Sequence, residues 1–181
     1  METTKDKEIK AFEAMKADFK YTNVMQSPKI EKVVVNVGVG TVKTDKRKLK
    51  IIQEKLAIIT GQKVSDRPAK KSIATFKVRE GQITGYQVTL RGNRMYAFLD
   101  KLINTALPRT RDFRGLNVTG IDAMGNFSMG IKENSIFPET ADEDLKDVFG
   151  MSITVVTNLK DPKETKAFLL QLGFPLKKEE K

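Results

Sequence analysis

Residues 32–40 read KVVVNVGVG, and this stretch decides the fold. Three consecutive valines followed by an alternating one favour extended backbone, because β-branched side chains pack well on a pleated surface. Successive strand residues point to opposite sides, so Val33, Val35 and Val37 share one face and Asn36 lies on the other. Gly38 and Gly40 then turn the chain into a helix expected over about Asp45 to Thr60. Its apolar stripe is Leu49, Ile52, Leu56 and Ile59, and Gly61 is placed to end it. A buried strand running into an amphipathic helix argues for mixed α and β structure.

The same reasoning extends outward in both directions. Ile9, Phe12, Met15 and Phe19 recur at helical spacing, predicting a first helix between about Asp6 and Val24 that ends before Ser27-Pro28. Beyond the second helix, Gln62 to Ser65 is expected as a short strand. Asp66 to Gly85 is expected as a protruding basic hairpin or loop. From Tyr86 to Arg91, Tyr86, Val88 and Leu90 alternate with Gln87, Thr89 and Arg91, giving a strand with one apolar and one polar side. A helix from Gly92-Asn93 to about Leu107 follows, with a stripe of Met95, Phe98, Leu99, Leu102, Ile103 and Ala106. Strands are expected near Gly120–Ile131 and Met151–Thr157. At Asp161-Pro162-Lys163-Glu164 a last helix starts, with Asp161 as cap, Pro162 in the first turn and Glu164 completing a capping box. Gly173, Phe174 and Pro175 stop it.

The expected order, α-β-α-β-β-α-β-β-α, predicts an α+β fold. It contains the split β-α-β-β-α-β sheet of ferredoxin-like and RNA-recognition-like domains, with helices packed on one face, plus an N-terminal helix and a protruding basic hairpin. The opposite sheet face would then be open and lined by residues such as Asn36, Thr89 and Arg91, a common kind of RNA-binding surface. With 181 residues, a single RNA-binding domain over 1–181 is expected.

The chain carries a formal charge of +10 and a pI near 9.7, so an acidic partner is expected, nucleic acid before an anionic membrane. The charge is segregated. Residues 41–91 hold thirteen Lys and Arg against four acids, whereas residues 133–150 hold six acids against one Lys. There is neither Cys nor His, which removes disulfides, thiolate chemistry, Cys/His zinc sites and histidine acid–base catalysis. No apolar run has the length to span a bilayer. The opening METTKDKEIK has mixed charge and no apolar signal core, so a cytoplasmic protein is expected.

Catalytic and cofactor motifs fail on inspection. Gly38-Val39-Gly40 lies between strand and helix, but position 43 is Lys where a dinucleotide loop needs Gly, and no Walker pattern is present. Asp142, Glu143, Asp144 and Asp147 lack calcium-loop spacing, so no metal is expected. Arg109, Arg111 and Arg114 surround Phe113 in a basic loop. The arginines suit phosphates, while Phe113 either stacks on a base or returns to the core. An enzyme would need a phosphate loop or an acid–base pair. A peripheral membrane protein would need a basic amphipathic helix with aromatic anchors.

VVVNVGVG, TGQK, RPAKKSIATFKVREG, YQVTLRG, LPRTRDFRG, GNFSMGIKE and IFPE occur in series over nearly the whole chain. Together they closely resemble the bacterial large-subunit ribosomal protein five family. The resemblance implies a scaffold that binds 5S rRNA, touches 23S rRNA and neighbouring proteins of the central protuberance, and uses no cofactor. It implies rRNA contacts at Asn36, Gln62, Thr89 and Arg91. Lys43, Lys46, Arg47, Lys48 and Lys50, with the three arginines of the 109–114 loop, would neutralise rRNA phosphates. The hairpin residues Arg67, Lys70, Lys71, Lys77 and Arg79 would meet the elbow of P-site tRNA. Glu139, Asp142, Glu143 and Asp144 in the acidic segment would dock the basic small-subunit ribosomal protein thirteen.

Overall fold

The computed structural model describes residues 3–40, 42, 45–140 and 148–177. Its main elements are α1 (Thr4–Phe19), β1 (Ile30–Gly38), α2 (Lys46–Thr60), β2 (Ser65–Pro68) and β3 (Ile83–Leu90). They continue with α3 (Gly92–Lys101), β4 (Phe127–Ile131), β5 (Met151–Thr157) and α4 (Pro162–Leu172). The strands form one antiparallel sheet in the order β2-β3-β1-β5-β4. The fold is therefore α+β with the expected element order. Two units divide the chain, one from residues 1–33, 91–129 and 154–181, the other from 34–90 and 130–153.

The first unit is built on α1, α3 and α4. All six residues of the α3 stripe are buried, as their spacing predicted. This helix does not stay α-helical to Leu107. It passes into a π turn over Leu102–Ala106 and a 3-10 turn over Leu107–Arg109. Pro108 supplies the reason, since it lacks an N–H and its ring crowds the carbonyl four residues back.

α1 departs further from expectation. It ends at Phe19, with Lys20 in the left-handed region at φ 55°, and its buried face is Thr4, Glu8, Ala11 and Met15. Ile9, placed in the core by periodicity, is 68% exposed. Polar ties set this rotation. The Thr4 N–H and hydroxyl donate to Asp100 of α3, Lys7 Nζ donates to the Leu172 carbonyl at the end of α4, and Glu8 accepts from the Ile30 N–H at 3.2 Å and the Tyr96 hydroxyl at 3.0 Å. Burial pushes the Glu8 carboxyl up despite these two bonds, and burial beside that carboxylate pushes the Tyr96 phenol up to about 12.

At α4 the predicted cap is present: Asp161 accepts from the Lys163 N–H at 2.9 Å, and Gly173 closes the helix at φ 95°. Glu164 does not complete a capping box. Its carboxylate accepts the Tyr21 hydroxyl instead, and burial followed by that bond raises the Tyr21 phenol strongly. The expected strand near 120–131 is shorter, covering Phe127–Ile131. The residues before it form a turn in which Asp122 accepts from the Met124 and Asn126 N–H groups.

In the second unit, Val35 and Val37 of β1 and Tyr86, Val88 and Leu90 of β3 are buried, while Asn36 is exposed. α2 starts at its Asp45 cap, which accepts from Arg47 and Lys48 N–H groups, and ends at Gly61 with φ 64°. Ile52, Leu56 and Ile59 are buried and Leu49 is half-buried. The strand expected at Gln62–Ser65 forms three residues later, because Ser65, Asp66 and Arg67 pair with Gln87, Tyr86 and Gly85. A bulge between Arg67 and Pro68 shifts the register. Residues 134–140 are tied down rather than loose. Asn134 is fully buried and its side chain accepts from the Phe149 N–H at 3.1 Å, while the Thr140 hydroxyl donates to the Asn134 carbonyl at 2.7 Å.

Candidate nucleic-acid interface

Strand alternation sends apolar residues of the second unit into the core and leaves a polar outer side. On that side lie exposed Asn36 of β1, half-buried Gln87 and Thr89 of β3, and exposed Ser152 of β5. Gln62, just before β2, joins them. Its amide Nε2 donates to the Thr89 carbonyl at 3.1 Å, which fixes the side chain against β3. The sequence reading named Asn36, Gln62 and Thr89 as contacts, set Gln87 on the polar side of its strand without naming it as one, and missed Ser152. Alternation in MSITV was the signal that would have found Ser152.

The N-terminus of α2, in the same unit, carries a basic cluster. Lys46, Arg47 and Lys50 are exposed and Lys48 is half-buried, while Lys50 Nζ lies 3.8 Å from Glu54. Cations in a first helical turn oppose the helix dipole, so this placement contributes nothing to helix stability and favours an anionic ligand. Lys43 lies outside the described residues.

The basic segment 66–85 is a hairpin. Beyond the β2–β3 ladder it closes through Ala69 N–H to the Gln82 carbonyl and a paired Ile73–Val78 bridge, with Lys77 at φ 49° in the tip. Arg67, Lys70, Lys71, Lys77 and Arg79 are all exposed on it. Ile73 at 47% and Phe76 at 68% are exposed as well, a pair of apolar tip residues that charge counting passed over.

Arg91 and the arginines of the 109–114 loop fall in the first unit. Arg91 is exposed, and its Nη1 lies 3.5 Å from the Glu31 carbonyl. Arg109, Arg111 and Arg114 are exposed on a loop pinned to the C-terminal segment by Leu116 N–H to the Pro175 carbonyl and Lys177 N–H to the Leu116 carbonyl. Phe113 is half-buried. Of the acidic set, Glu139 is exposed in a short 3-10 turn of the second unit, and Asp142, Glu143 and Asp144 lie outside the described residues.

Among the described residues, no group of three or more acidic side chains could hold a metal, and no helix is long and apolar enough to cross a membrane. What the side chains offer is hydrogen-bond donors and acceptors on a polar sheet face of the second unit, with exposed guanidinium and ammonium groups on other elements of each unit. An α+β protein of this construction is in the class of basic scaffold proteins that accompany RNA.

Comparison with known proteins narrows the class. Residues 23–79 match the family model for ribosomal protein L5, and residues 83–176 match the companion model for the C-terminus of the same ribosomal family. The large ribosomal subunit protein uL5 of Ureaplasma parvum serovar 3 is 49% identical over 164 residues, covering 91% of this chain and 89% of the relative. Its counterpart in Flavobacterium johnsoniae is 49% identical over 165 residues, covering 91% and 90%. That of Geobacter sulfurreducens is 49% identical over 165 residues, covering 91% and 92%. The chain belongs to the ribosomal protein L5 family, whose members are constituents of the large ribosomal subunit and not enzymes. Membership associates it with rRNA and with the ribosome of the cytoplasm.

Proposed function

We propose that this protein binds 5S rRNA and anchors it in the large subunit, with residues 1–181 acting as one RNA-binding domain. The observation that carries the reading is the polar sheet face, where Asn36, Gln62 and Thr89 present amides and a hydroxyl and the Gln62–Thr89 bond holds one of them in place. Ribose hydroxyls and base edges are the groups such a face recognises. Arg91 adds a further RNA contact. Lys43, Lys46, Arg47, Lys48 and Lys50, and the exposed Arg109, Arg111 and Arg114, neutralise phosphates of 5S and 23S rRNA and release counterions.

Two further contacts belong to the same reading. The hairpin carrying Arg67, Lys70, Lys71, Lys77 and Arg79 meets P-site tRNA. Residues 133–150, with Glu139, Asp142, Glu143 and Asp144, dock the basic small-subunit protein thirteen, because unlike charge steers encounter.

The test is salt-titrated binding to purified 5S rRNA with tRNA and duplex RNA as competitors. Thr89→Ala and Arg91→Ala should each weaken 5S rRNA binding by about 1–3 kcal/mol, whereas loss of one phosphate-binding lysine should chiefly lower the salt slope by about one. Unchanged affinity in both Thr89→Ala and Arg91→Ala would remove the sheet face from the proposal.

A further inference from the structure

Two turns of the first unit present apolar side chains to solvent where their local structure needs none. In the 3-10 turn Val24–Gln26, Val24 is 62% and Met25 76% exposed, and in the turn before β4 Met124 is 63% exposed. These are three of the eight large apolar side chains exposed among the described residues. Polar residues, not these three, hold both turns. Asn23 Oδ1 accepts from the Met25 N–H at 2.9 Å and Gln26 Oε1 from the Thr22 N–H at 3.0 Å. Asn126 Nδ2 donates to Asp122 at 2.9 Å, beside the backbone bonds that Asp122 already accepts.

The two turns, about a hundred residues apart in sequence, are held by consecutive residues at the end of β5. The Thr157 hydroxyl donates to the Gly125 carbonyl at 2.8 Å. Next to it, the Asn158 side chain accepts from the Lys29 N–H at 2.8 Å and donates to the Ser27 carbonyl at 3.0 Å. Loops fixed in this way lose little further entropy on binding, and grouped exposed apolar side chains mark contact sites. Charge at this end favours an anionic partner. Lys29, Lys160 and Lys163 are exposed, whereas Asp122 and Asp161 accept backbone N–H groups and Glu164 accepts the Tyr21 hydroxyl. The family's association with rRNA supplies the anion. Apolar side chains pack on the faces of unstacked bases, and lysines meet the flanking phosphates.

We propose that Val24, Met25 and Met124 form a second RNA site in the first unit, taking unpaired bases of an rRNA loop, with Lys29 and Lys160 on its phosphates. The site shares no residue with the polar sheet face and stands whether or not that face binds 5S rRNA. The test places a photoreactive benzophenone side chain at position 25, and separately at 124, in the full chain assembled into large subunits. On irradiation both positions should join to unpaired nucleotides of one rRNA loop. Adducts to protein alone, adducts to paired or widely separated nucleotides, or no adduct at either position would overturn the site. Val24→Ser with Met25→Ser, and Met124→Ser, should keep the wild-type Tm of the free protein yet be washed from large subunits at lower salt. Wild-type retention in both variants, or a lowered Tm in both, would equally refute it, the second by making the apolar residues structural.

Discussion

Glu8 is a buried carboxylate in a helix interface, and replacing it separates the worth of its hydrogen bonds from the cost of its charge. It is 9% exposed and accepts from the Ile30 N–H and the Tyr96 hydroxyl. Burial raises its folded pKa above the ordinary value of 4.5. A carboxyl raised in this way binds its proton more tightly when folded. Its stabilising contribution is complete below about 4.5 and is lost as pH rises through the higher folded pKa. Glu8→Gln keeps an acceptor for Ile30 and a polar group for Tyr96 but removes the charge. Relative to wild type, its stability should therefore improve as pH rises above about 4.5 and level off once the pH has passed the raised folded pKa. Glu8→Ala strands the buried Ile30 N–H and should cost about 1–3 kcal/mol for that group alone. Urea unfolding of the three proteins across that pH range is the assay, and the Gln-minus-wild-type difference cancels the titration of other carboxyls. If Glu8→Gln were instead progressively less stable than wild type as pH rises, the carboxylate would be favoured by folding and the reasoning would be wrong.

Other perturbations probe other parts. Gly125→Ala places a Cβ 2.5 Å from the Leu159 carbonyl at φ 74°, in a turn whose own carbonyl accepts the Thr157 and Thr165 hydroxyls. It should cost upward of about 3 kcal/mol by denaturant unfolding, since both strain and overpacking act. Asp45→Ala removes the cap of α2 and should cost about 1 kcal/mol, read in the same way. Excising residues 70–81 leaves the Ser65–Pro68 ladder with β3 in place. The shortened protein should retain 5S rRNA in a gel shift while P-site tRNA affinity falls on reconstituted ribosomes; abolished 5S rRNA binding would mean that the RNA face is misplaced.

Elements with a strong single period were legible in the sequence. The alternation in VVVNV and YQVTL gave the inward residues of β1 and β3, and the α3 stripe was right at all six positions. α1 was not legible in the same way. Its apolar residues were too few to outweigh long-range polar ties from Thr4 and Glu8 to α3 and β1, which turn Ile9 outward. Glu164 failed for the same reason, because Tyr21, far away in sequence, competes for its carboxylate. β2 slid to Ser65–Pro68 because pairing with β3, not local propensity, fixes where a polar edge strand begins. The polar face could be anticipated from alternation, but the hold of Gln62 on the Thr89 carbonyl needed three-dimensional proximity.

β2 is the terminal strand of the sheet, and its composition bears on the life of the protein before it meets RNA. An open strand edge can recruit a second chain and seed aggregation. Here all four edge residues are exposed, Asp66 and Arg67 are charged, Pro68 has no N–H to offer, and the bulge beside it breaks a flat docking line. A newly made copy at +10 thus has a sheet border at β2 that resists self-association. Solubility during the interval between synthesis and assembly is built into the strand where the basic hairpin begins.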